Sequence, residues 1–201
     1  MTGSIRIPSI EVTGVYGAIF KVVARRMLGK VPDSTGVLWQ HPAVFTDLMG
    51  FNRRAEKWDR LDESLAVLAK MAAAAAVGCH ACLDISYFMA HRRGLDESKV
   101  REVPRWRGST IYTPLERRVM EYADAMSQTP PAVTDELSSR LLDELGPAAL
   151  IELASRVALM NASARTNIAL GIPSEEFATA CGLPPLATGT ATETAEVGSA
   201  P

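Results

Sequence analysis

From Val15 onward, apolar residues recur every third or fourth position, and polar or Pro/Gly stretches separate the runs. That period predicts helices rather than strands, and no segment alternates convincingly with period two. The first helix spans Val15 to Leu28, with Ile19, Val22, Val23 and Met27 at helical spacing and Arg25, Arg26 and Lys30 near its end. Residues 31–36 (VPDSTG) read as a loop. The next helix runs from Pro42 to about Ala55, with Val44, Phe45, Leu48 and Met49 inward. A polar passage, Asn52 to Glu63, leads into an Ala-rich helix that ends at Val77-Gly78.

Further on, Asp96 can cap a short helix that Pro104 terminates. Thr113-Pro114-Leu115-Glu116 is a strong start signal: a Thr cap, Pro at the first helical position and Glu three after the cap. The helix it opens carries Leu115, Val119, Tyr122, Ala123 and Met126 on one face up to Ser127. Thr134 starts another helix, Asp135 to Leu145, closed by Gly146-Pro147. A long apolar helix follows from Ala148 to about Leu170, with Glu152 and Arg156 spaced to pair. Ser174 is expected to cap a last short helix through Cys181. Beyond Pro184 the chain is small, polar and Thr/Ala-rich, too poor in apolar bulk to fold. The fold class is all-α. Three parts follow: an arm and helix at 1–38, one domain at 39–183, and a disordered tail at 184–201.

Cys79-His80-Ala81-Cys82 lies where the Ala-rich helix gives way to an apolar segment ending at Arg92-Arg93-Gly94. Gly78 is the expected break and can serve as the N-cap, placing Cys79 in the first turn of a new helix. Free amide N–H groups and the helix dipole favour a thiolate there. Cys79 and Cys82, three apart, share a face. The pair is a candidate dithiol centre. A structural metal would need about four ligands. The remaining donors are His41, His80, His91 and Cys181, with no second CxxC and no HxxxH, so no metal and no other cofactor is expected.

Composition narrows the function classes. Of 201 residues, 47% are hydrophobic and 22% charged, the balance of a soluble globular domain. A formal net charge of -2 without any basic cluster gives nucleic acid no electrostatic footing. No apolar run approaches the roughly 20 residues of a membrane span. The first 30 residues lack a signal-peptide pattern, and three cysteines with two in a CxxC suit a reducing compartment; the cytoplasm is the expected location.

Taken together, GCHAC between two helices, Gln40-His41-Pro42 ahead of it, and GLDESKV, TPLERRVMEYADAM, AVTDELSSRLLDELGP and ELASRVALMNASARTNIALGIPSEEF after it resemble the carboxymuconolactone decarboxylase / alkylhydroperoxidase AhpD-like family over about Trp39–Leu183. The resemblance implies a helical homo-oligomer, a trimer or hexamer, with the active centre beside the CxxC. It implies that Cys82 attacks a hydroperoxide and that Cys79 resolves it as a disulfide, which an external dithiol reduces. Two positions depart from the family pattern. Where redox members carry a relay histidine this chain has Ser86, and where they carry a relay glutamate it has Val67.

The expected function is therefore a thiol–disulfide oxidoreductase with weak hydroperoxide reductase activity, with Cys82, Cys79, His80 and Ser86 as site residues. His80 is a candidate to stabilise a thiolate, although neighbours on a helix point about 100° apart. Ser86, on the Cys82 face, can hydrogen-bond a thiolate but cannot act as its base. Asp84 reads as a solvated or interface residue, Tyr87 and Phe88 as core, and Cys181 as structural. Asn161, Arg165 and Asn167 are polar groups in a buried-looking helix, expected to satisfy one another or loop carbonyls. Two alternatives stand: a carboxymuconolactone decarboxylase-type lyase using one of His41, His80 and His91, and a non-catalytic helical oligomer binding a small ligand. Surplus apolar surface on the Ala-rich and long C-terminal helices is the reason to expect self-association.

Overall fold

Alanine dominates Glu63–Ala76 and, with the best helix propensity and the smallest side chain, lets neighbouring helices approach closely. In the computed structural model, which describes residues 5–188, this helix is the hub. It is α4 in the order α1 (Gly14–Leu28), α2 (Asp33–Leu38), α3 (Pro42–Ala55), α4 (Glu63–Ala76), α5 (His80–Arg92), α6 (Glu97–Glu102), a 3₁₀ turn (Val103–Arg105), α7 (Pro114–Ser127), α8 (Asp135–Leu170) and α9 (Phe177–Ala180). No strand occurs among the described residues. Helices α5, α7 and α8 pack around α4, whose residues from Leu65 to Ala74 are buried except Lys70. None of these helices is long and apolar enough to cross a membrane.

The start signals act largely as their chemistry requires. Asp62 caps α4 through Ser64 and Leu65 N–H (2.9 and 3.2 Å). Thr113 and Glu116 exchange hydrogen bonds in a full capping box, with Pro114 in the first turn. Thr134 accepts from Leu137 N–H, and the two expected C-terminal helices form one run broken at Gly146 (φ 77°, ψ 167°). Gly78 departs from expectation. It closes α4 rather than capping α5: at φ +74° it donates to Ala75 O while Cys79 N–H donates to Ala74 O, a Schellman ending.

Four readings of the chain's ends need correction. Residues 31–36 are not all loop, because Asp33–Leu38 is helical. Its exposed amides are capped from far away: Glu175 accepts from Asp33 N–H (2.8 Å), Ser34 N–H (2.9 Å) and the Ser34 hydroxyl (2.8 Å). Ser174 does not cap α9 itself. Val44 is not inward; it is largely exposed, while Phe45 takes the core position. Part of the expected free tail is docked: Ala187 N–H donates to Arg101 O (3.0 Å) and Arg101 Nε to Pro185 O (2.8 Å). Residues 189–201, the rest of that tail, lie outside the described residues.

The arm before α1 is extended and held at both ends. Arg6 donates to the last carbonyls of α8, Ala169 O (2.8 Å, from Nη1) and Leu170 O (3.1 Å, from its backbone). Ile10 N–H then donates to Gly36 O. The arm passes so near α2 that a Cβ at Gly36 would sit 2.6 Å from Ile10 O. Val12, Trp39 and Phe45 make a small second core with Phe20. Helix α1 rests on it by Gly17 and Phe20, with the Tyr16 ring stacked on Trp39 (6.3 Å between centroids), and leaves Val15, Tyr16, Ile19, Val22, Val23 and Met27 exposed. The surplus apolar surface is therefore on α1 and, through Leu142, Ile151 and Ile168, on α8 as expected, but not on α4, which its own chain covers.

Candidate active site

The chain turns sharply at Gly78, and the first residue after the turn, Cys79, becomes the N-cap of α5 with extended backbone (φ -86°, ψ 90°). Its sulfur does what a cap side chain does: Cys79 Sγ accepts the N–H of Cys82 at 3.3 Å. Cys82 follows in the first turn, its Cα 5.3 Å from that of Cys79, and the two sulfurs are joined as a disulfide. Both cysteines are buried, 2% and 4% exposed, in the main core with Val67 of α4. The third cysteine, Cys181, is free and exposed.

The second sulfur has its own donor. Asn167, near the end of α8, places Nδ2 3.5 Å from Cys82 Sγ. Among the described residues no carboxylate or imidazole hydrogen-bonds either sulfur. His80 is exposed, and Ser86 stands half-buried one turn after Cys82. His41 is occupied as the cap of α3, accepting from Val44 N–H, and His91 pairs with Glu97 at the far end of α5. The arrangement can stabilise thiolates with N–H groups, but it supplies no positioned proton acceptor. No three His, Cys, Asp or Glu side chains among the described residues could together hold a metal.

Asp84 corrects the expectation of a solvated group. It is buried, and its carboxylate takes the Ser174 hydroxyl (2.9 Å), Phe177 N–H (3.0 Å) and Ala178 N–H (2.9 Å). It is the cap of α9 and is spent on structure. The other C-terminal polar groups divide. Asn161 Nδ2 donates to the Ser127 hydroxyl (2.8 Å) and Arg165 to Ser127 O (2.7 Å), pinning the loop after α7. Of the three, Asn167 alone reaches the dithiol rather than satisfying a loop carbonyl, as the resemblance, which implies that this helix lies near the site, allows. Its one local signal is position: a polar residue four before the helix-ending Gly171.

A buried ion pair braces the loop ahead of α4. Glu152 Oε1 accepts from Arg156 Nε (2.7 Å), and Oε2 from Arg60 and Leu61 N–H (2.8 and 3.2 Å). Arg156 Nη2 also donates to Trp58 O (2.9 Å). Burial pushes the Glu152 carboxyl up, but the Arg156 hydrogen bond and the two amides outweigh it and hold it below the usual range.

Residues 42–125 match the family model "Carboxymuconolactone decarboxylase family". Over 97 residues the chain is 39% identical to the uncharacterised protein YnjA of Escherichia coli K12; the match takes in 48% of this chain and spans about half (53%) of that relative. The debrominase Bmp8, as a Cys-to-Ala variant in complex with 2,3,4-tribromopyrrole, is similar with a TM-score of 0.76 at 20% identity, over 88% of this chain and 95% of that one. The alkylhydroperoxidase AhpD core of an uncharacterised peroxidase-related protein from Ralstonia eutropha JMP134 gives 0.71 at 19% identity, over 86% and 93%. At these identities the structural likeness is one of fold. The match to the carboxymuconolactone decarboxylase family model thus runs from α3 into α7, and the helical fold around it is that of the AhpD-like structures.

Proposed function

We propose that the chain is a thiol–disulfide oxidoreductase with weak hydroperoxide reductase activity. The observation that carries this reading is the Cys79–Cys82 bridge across the first turn of α5, with an N–H donor on each sulfur. In the reaction, the Cys82 thiolate attacks a peroxide oxygen; an S–O bond forms, the O–O bond breaks, and the alkoxide leaves as an alcohol after taking a proton. Cys79 then attacks the Cys82 sulfenic acid, forming the disulfide and expelling the oxygen as water. An external dithiol returns two electrons and two protons. Cys79, capped by an amide and at a helix start, is the more readily ionised thiol. Cys82 lacks a base. An ordinary thiol with a pKa near 8.5 is only a few per cent thiolate at pH 7, so turnover is slow.

The test is single-turnover oxidation by tert-butyl hydroperoxide in a Cys181→Ser background. The expected result is loss of two thiols per alcohol formed and a Cys79–Cys82 disulfide on peptide mapping. Cys79→Ser should stop at a sulfenic acid on Cys82, and Cys82→Ser should not consume peroxide. Consumption unchanged in Cys82→Ser would reject the reading and leave the non-catalytic scaffold in its place.

The chain is further proposed to assemble with copies of itself through α1. An isolated 15-residue helix is marginal in water, and this one leaves six large apolar side chains exposed with only Arg26 set among them. Light scattering at micromolar concentration should return a multiple of the chain mass, and Ile19→Glu with Val22→Glu should reduce it. A monomer mass for the unmodified chain would refute the assembly.

A further inference from the structure

We infer that Asn167 sets the balance between the reduced and disulfide forms of the Cys79–Cys82 pair by donating its side-chain amide to Cys82 Sγ. The inference rests on the thiol–disulfide reading of the site and adds the residue that regulates it. The geometry is specific. The amide comes from α8 to the first turn of α5, 85 residues apart in the chain, and meets a sulfur that is 4% exposed. Asn167 is held at its root, since its own carbonyl accepts from Ile172 N–H (2.9 Å) in the turn that ends α8. Arg6 ties the last two carbonyls of the helix, Ala169 O and Leu170 O. The donor is carried on a fixed helix end rather than on a loop.

Chemistry gives that contact a direction. A disulfide sulfur is a weak acceptor, whereas a thiolate is charged and accepts strongly. The same N–H therefore stabilises the reduced, ionised pair more than the oxidised one. An amide has no proton-accepting group near neutral pH, so Asn167 raises the thiolate population without acting as a base. The partner sulfur has the equivalent service from a backbone group, Cys82 N–H, which substitution cannot remove. Asn167 is the side-chain lever on the couple.

The experiment is equilibration of the pair with dithiothreitol, whose two thiols become its cyclic disulfide as the Cys79–Cys82 bond takes up two electrons and two protons. Asn167→Ala should shift the equilibrium toward the protein disulfide by about tenfold at pH 9, which for a two-electron couple is about 30 mV. The shift should shrink toward pH 6, where an ordinary thiol is protonated in both proteins. Asn167→Asp, nearly the same shape with a carboxylate in place of the donor, should shift it at least as far. A merely structural role would not produce that pH dependence. In the unmodified protein, the Asn167 side-chain amide protons should move downfield in the NMR spectrum on reduction at pH 9, a reading independent of any variant's folding. Folded variants with the unmodified equilibrium at every pH, or an Asn167 amide signal indifferent to reduction, would overturn the inference. The peroxide assay separates the two ideas. Equilibrium shifts without peroxide consumption keep the role of Asn167 and reject the peroxidase; consumption without shifts does the reverse.

Discussion

A Val67→Glu, Ser86→His double variant should reduce a small hydroperoxide about a hundredfold faster than the unmodified chain. Position 86 lies one turn after Cys82 on the same face of α5, half-buried, where an imidazole can meet the Cys82 thiol. Position 67 is on α4, which packs on α5, and shares the core with both cysteines. A positioned general base is worth roughly 10²–10⁴-fold, and an imidazole needs an orienting carboxylate to serve as one. Ser86→His alone should therefore gain only a few-fold. Val67→Glu alone should lose stability and gain no rate, because it buries a carboxylate without a partner at a site 5% exposed. Stopped-flow thiol loss with tert-butyl hydroperoxide checks all four proteins. An unmodified chain already as fast as the double variant would mean that a base serves Cys82 from elsewhere.

Arg156→Ala should cost about 3–5 kcal/mol of stability, read from urea unfolding at pH 7. Arg156 and Glu152 are 7% and 5% exposed, so removing the guanidinium strands a carboxylate in the core and leaves Trp58 O without its donor. In a domain of this size the melting temperature should fall by about 10 °C. Adding Glu152→Gln should recover part of the loss, because an amide oxygen can still accept from Arg60 and Leu61 N–H without an unpaired charge. If Arg156→Ala costs under about 1 kcal/mol, the pair is better solvated than its burial indicates.

The helices from α3 to the start of α8 were legible because their signals are local. A capping box, a proline in the first turn and a 3.6-residue apolar period all act within a few residues of one another. The CxxC was legible for the same reason. What could not be read depends on partners far along the chain. The amides that start α2 are satisfied by Glu175, and those of α9 by Asp84, so neither start carries its own signal. Helix α1 shows the opposite limit: its apolar period is real, but a period does not say whether the stripe meets the chain's own core or solvent. Gly78 was misassigned because glycine suits both a helix start and a helix end, and only its left-handed φ decides between them. Asn167 reads locally as one polar residue in a helix, and only the packing of α8 on α5 brings it to a sulfur.

The segment 174–176 does more than join α8 to α9. Through Ser174 it meets Asp84 of α5, and through Glu175 it closes the start of α2 near the root of the arm that Arg6 ties back to α8. The starts of two short helices, α2 capped by Glu175 and α9 capped by Asp84, thus meet at one tripeptide. Their opening is expected to be coupled, read as matched amide hydrogen exchange in α2 and α9. Hydrogen exchange is accordingly expected in two tiers, slowest in the hub that carries the sulfurs and faster in the short helices that frame it.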